Sequence, residues 1–144
     1  TLEKGTNVRE SVDKEKTGLK SIDPYVIVSM GEFTFRSTTK YNTSNPNWNE
    51  TIRLYLPRGH DFNTIRFSLY DKDFITSDDS ISTAELKISE ACHPNATTKM
   101  SLDLLPNAHR YGAQFENGPT MGELGVTVTF EPMASAEQRF WLEW

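Results

Sequence analysis

Asp71, Asp73, Asp78 and Asp79 place four carboxylates within nine residues, opposed only by Lys72. Two like charges about 4 Å apart repel by roughly 1 kcal/mol in water and roughly 4 kcal/mol at an effective dielectric of 20. A turn that holds these groups together is destabilised until a cation arrives. Calcium suits such a turn, because it accepts about six to eight oxygen ligands in a forgiving geometry, whereas magnesium demands a stricter octahedron. The segment is not an EF-hand loop: counted from Asp71, the required glycine and glutamate positions are Thr76 and Ser82. Zinc spacing is absent, since His60, His93 and His109 are scattered and Cys92 is the single cysteine. On composition alone, an acidic turn is more often a solvated loop than a metal site.

The acidic segment sits between two strand-like runs. Ile65, Phe67 and Leu69 alternate with polar residues before it, and Ile81–Ile88 follows it. Period-two patterning with one apolar face marks a half-buried strand. Tyr25–Met30, Phe33–Lys40, Thr51–Leu56, Lys99–Leu104 and Gly125–Phe130 read the same way. Turn signals separate them at Met30-Gly31-Glu32, Ser44–Asn47, Pro57–His60 and Asp71–Ser80. Strands recurring without helical periods between them predict an all-β antiparallel sandwich or barrel. One helical turn is expected near Ser89–Cys92, a long loop over 106–122, and a helix start at Ser135. Residues 1–23 are polar and read mostly as loop.

The 144 residues suffice for one domain. No apolar run approaches the roughly 20 residues that span a bilayer, and no apolar N-terminal segment suggests a signal peptide. With Cys92 alone, no internal disulfide can form, which fits a reducing, cytoplasmic compartment. Sequons at Asn42, Asn49 and Asn95 matter only in a secreted chain. A net charge of −5 opposes nucleic acid, so no nucleic-acid partner is expected. No nucleophile motif, phosphate loop or metalloprotease helix is present, so no catalytic residue and no enzyme activity are assigned to this chain.

Three short motifs then resemble one family. Ser21-Ile22-Asp23-Pro24-Tyr25-Val26 is similar to the S-D-P-Y-V of C2 domains, with Ile22 beside the aspartate. Asn45-Pro46-Asn47-Trp48-Asn49-Glu50 is similar to their N-P-x-W-N-E, which opens a later strand. Asp71-x-Asp73 followed by Asp79 is similar to their third calcium loop. The motifs stand in family order over about residues 18–90. The resemblance implies an eight-stranded C2-type β-sandwich, closest to those of phospholipase C, protein kinases and phosphatidylserine decarboxylase. Seven strands are clear in the sequence. The domain is expected over 1–133, with 134–144 as a tail or linker.

What the resemblance implies for the site follows residue by residue. Asp23, Asp71, Asp73 and Asp79 match calcium ligands, Asp78 lies where the family varies, and Thr17 stands where a further aspartate is usual. Asp13 would serve instead if the first loop is longer, so one full site is better supported than two. Phe74 and Ile75, with Leu19 in the first loop, stand where related domains insert side chains into membrane. Trp48 is expected to pack structurally. Arg36 and Lys40, with Tyr25 and Tyr70, match the family's basic phosphoinositide face; Arg36, Thr38 and Lys40 alternate, so both bases are expected on one side. The implied function is calcium-dependent docking to anionic phospholipid (phosphatidylserine or phosphoinositide), recruiting a cytoplasmic host to membranes. Two calcium ions would carry the charge of −5 to −1. Two alternatives stay open: a calcium-independent interaction or scaffold C2 domain, and the lipid-docking part of a lipid-metabolising or signalling enzyme. The family's alternating first strand is not evident: Thr1-Leu2-Glu3-Lys4 looks like its end, and either residues 1–9 supply an irregular strand, or the tail supplies it, or the sequence begins after it. An unpaired edge and a weak homodimer through it are also expected.

Overall fold

A computed structural model of the chain describes residues 1–8, 22–57, 59–72, 80–108 and 120–132. They form the expected sandwich of two antiparallel sheets. The strands are β1 (Leu2–Thr6), β2 (Pro24–Met30), β3 (Phe33–Arg36), β4 (Asn47–Glu50), β5 (Thr64–Asp71), β6 (Ser82–Lys87), β7 (Thr97–Asp103), β8 (Leu105–Pro106) and β9 (Glu123–Thr129). One sheet runs β4-β1-β9-β7, the other β3-β2-β5-β6-β8. Eight strands have four residues or more, and β8 is a two-residue contact at the edge of the second sheet. The helical turn near Ser89 is α1, Ile88–Ala91. No helix among the described residues is long and apolar enough to cross a membrane.

The alternating residues supply the core. Val26, Val28, Phe67, Leu69 and Leu86 of one sheet are buried, and so are Leu2, Trp48, Leu124 and Val126 of the other. Gly31 enters the β2–β3 hairpin at φ +58°, while Glu32 does not share the positive φ. A positive φ at only the first central residue is the pattern of a type II′ turn, which takes glycine there.

Three expectations are corrected. First, the opening strand is not missing: residues 1–9 supply it in the irregular form named as one alternative, and β1 lies inside its sheet, paired with β4 on one side and β9 on the other. Its register shifts between Leu2 and Lys4, so the buried positions are Leu2 and Gly5, three apart, and the period-two signature is lost. The filled position removes the open edge on which a homodimer was expected. Second, Thr51–Leu56 is not a strand. Its side chains still alternate, with Ile52, Leu54 and Leu56 half-buried against the core. The ladder between β4 and β1 ends at Leu2 with Glu50, so the segment gains packing but no sheet pairing.

Third, β3 stops at Arg36 and does not reach Lys40. Ser37 turns inward, is buried, and its hydroxyl oxygen accepts from the Val26 amide at 2.8 Å. The Ser37 amide donates to Val26 O and the Lys40 amide to Pro24 O, so three residues advance on one side against two on the other. That extra residue breaks the alternation between Arg36 and Lys40. The tail from residue 133 lies outside the described residues, and with it the helix start at Ser135 and the domain limit near 133.

Candidate metal and membrane site

The β2–β5 register builds the site. Pro24 pairs with Asp71 and Tyr25 with Tyr70, so the start of β2 and the end of β5 coincide. Proline suits a strand's first residue, where no ladder amide is needed. Asp23, one residue earlier, is thereby set beside Asp71. Its amide donates to Oδ1 of Asp71 at 3.0 Å, and the Lys72 amide donates to its carbonyl at 3.0 Å. From the β3–β4 connection, the Asn42 amide donates to Oδ1 of Asp23 at 2.7 Å. Asn42 manages this at φ +54°, a left-handed conformation that asparagine tolerates. Segments 22–23, 41–43 and 71–72 are thus tied together at one end of the sandwich.

Asp71 is only 4 % exposed. A carboxylate removed from water is costly unless hydrogen bonds, paired charge or a bound cation offset it. The donors are hard oxygens, and one oxygen of each carboxylate is already oriented by a backbone amide. This chemistry fits calcium. Among the described residues no three potential ligands cluster. Asp13, Asp73, Asp78 and Asp79 lie outside the described residues, as do Leu19, Phe74 and Ile75. Asp23 and Asp71 are therefore the two expected ligands brought together here.

Side chains that sequence reasoning passed over complete this end. Nζ of Lys72 donates to the Tyr41 hydroxyl at 2.6 Å and lies 4.8 Å from its ring centroid. Lys72 entered the sequence reading only as the lone charge opposing the acidic loop; nothing in a pattern of apolar residues would have paired it with Tyr41.

On the outer face of the second sheet, Tyr25 and Tyr70 stack with ring centroids 5.1 Å apart and planes 8° from parallel. The Arg36 guanidinium lies 4.0 Å above the Tyr25 ring and, with Tyr70, leaves Tyr25 only 7 % exposed. Three of the four residues expected on the basic face are thus brought together; Lys40 follows the break at Ser37. Trp48 is buried and its Nε1 donates to Thr38 O at 2.9 Å, a structural role as expected. Partial burial pushes the Cys92 thiol up from its ordinary value, which leaves it less reactive, not more. The sequon residues Asn42, Asn49 and Asn95 are exposed, and all three take positive φ, so the backbone itself gives a reason for asparagine at each.

A family model described as the C2 domain matches residues 3–104. The chain belongs to the C2 domain family. The fold is seen again in the first C2 domain of plant extended synaptotagmin 1, which has a TM-score of 0.70 at 20 % identity and covers 93 % of this chain and 92 % of that one. Among curated proteins of Arabidopsis thaliana, Protein C2-DOMAIN ABA-RELATED 6 is 32 % identical over 79 residues, 55 % of this chain and 44 % of that protein. The ADP-ribosylation factor GTPase-activating protein AGD12 is 32 % identical over 90 residues, 61 % of this chain and 24 % of that protein. This C2 domain therefore spans less than half the length of either relative.

Proposed function

We propose that this C2 domain docks its host, in the cytoplasm, onto anionic phospholipid membranes in a calcium-dependent way. The observation that carries the reading is the Asp23–Asp71 pair, two hydrogen-bonded neighbours at the end of adjacent strands, one of them a buried carboxylate. Asp73 and Asp79 join them as ligands, with Asp78 and Asp13 as further oxygen donors from the same loops. Calcium, when bound there, supplies positive charge and open coordination positions for lipid phosphate oxygens. Phe74 and Ile75, with Leu19, enter the bilayer beside that site; each apolar side chain buried contributes about 1.5–3 kcal/mol. The apo carboxylates repel an anionic surface, so affinity for calcium and for lipid rise together by reciprocity of linkage. Arg36, Tyr25 and Tyr70, with Lys40 nearby, form a second, weaker contact for phosphoinositide, each base being worth about 1 kcal/mol near the membrane. Any catalysis belongs to a host, as a host enzyme would use this domain for lipid docking.

Sedimentation with phosphatidylserine vesicles tests the reading. Binding is expected in calcium, absent in chelator, and lost when Asp71→Asn is combined with Asp73→Asn. Equal binding in calcium and chelator would favour the calcium-independent interaction domain instead.

A further inference from the structure

Tyr41 is the most exposed large hydrophobic side chain among the described residues, at 62 %. It nevertheless has a defined partner. Lysine carries donors only, so in the 2.6 Å contact with Lys72 the phenol oxygen is the acceptor. The phenol O–H must then donate elsewhere, and among the described residues it donates to nothing. The Lys72 ammonium keeps two further N–H donors beyond the one given to Tyr41. Together the two side chains present O–H and N–H donors and a positive charge, a surface shaped for an anion with several oxygens.

The backbone sets both residues at the same end of the sandwich as Asp23 and Asp71. Tyr41 precedes Asn42, whose amide holds Oδ1 of Asp23; Lys72 follows Asp71, and its own amide holds the Asp23 carbonyl. Among the described residues the partner of the Lys72 ammonium is the Tyr41 phenol. Tyrosine is also a side chain that favours the membrane–water interface, with an apolar ring and a polar tip.

We propose that Tyr41 and Lys72 form a clasp for a phospholipid phosphate at a bilayer surface, next to the Asp23–Asp71 pair and separate from it. This rests on the membrane-docking reading and adds a direct protein contact to the headgroup. Lys72 sets the direction of the Tyr41 hydroxyl, so the two residues act as one unit.

The test is equilibrium binding of the intact chain, in calcium, to vesicles of mixed phosphatidylcholine and phosphatidylserine. Tyr41→Phe keeps the ring and the net charge and removes the hydroxyl, both the O–H donor and the acceptor that holds Lys72; about a three- to tenfold loss of affinity is expected. Lys72→Gln is expected to cost about five- to tenfold. The double variant should lose less than the product of the two, because the first change already disables the unit. Excess soluble glycerophosphoserine should fail to displace the vesicles; displacement would assign the clasp to free phosphate esters and overturn the bilayer proposal. Wild-type affinity in Tyr41→Phe, or losses that multiply, would overturn the clasp while leaving calcium-dependent docking in place. A wild-type chain that ignores the vesicles would overturn both.

Discussion

Asp71 does two things at once. It contributes a carboxylate to the proposed cation site, and its Oδ1 accepts the Asp23 amide that closes the start of β2. The two roles separate by substitution. Asp71→Asn keeps an oxygen acceptor for that amide, so the calcium-free domain should lose less stability than with Asp71→Ala. Asp71→Ala leaves the amide unpaired and should destabilise by about 1 kcal/mol, at the low end for a lost partner because water reaches the half-exposed Asp23. Urea unfolding in chelator measures both. Equal losses for the two variants would contradict the dual role. Of this residue, the sequence disclosed the charge and the motif; it did not disclose the burial, which depends on the register of β2 against β5.

At the scale of elements, patterning was most legible where a strand alternates without interruption. Ile65, Phe67 and Leu69 announced β5, and their burial bears this out. It was least legible where one residue is inserted. The shift within β1 spaces its buried residues by three, and the inward Ser37 ends β3 before Lys40. Thr51–Leu56 shows the converse: alternation survives from packing alone, while strand pairing also needs a neighbour. The closing connection from β8 to β9 imposes its own demand. Gly122 has φ +117°, and a Cβ there would lie 2.8 Å from Thr6 O and 2.9 Å from Asn7 O, both backbone atoms. Gly122→Ala should therefore destabilise by about 1–3 kcal/mol through backbone strain, with the clash adding to that. Chemical denaturation reads the change; an unaltered midpoint would mean that this connection repacks freely.

For the whole molecule, two sheets bring three segments far apart in sequence to one end, where Asp23, Asn42 and Asp71 meet. The motifs pointed to two of those three. The contribution of the β3–β4 connection was invisible, because a backbone amide carries no side-chain signature. The net charge of −5 has a place in the same picture: part of it lies where an anionic surface would approach, so calcium and membrane should each favour the other. Calorimetric titration of calcium into the protein, with and without phosphatidylserine vesicles, tests this coupling most directly. The account predicts measurable calcium binding alone and clearly tighter binding with vesicles. Calcium affinity that is the same in both conditions, or no calcium binding in either, would contradict it.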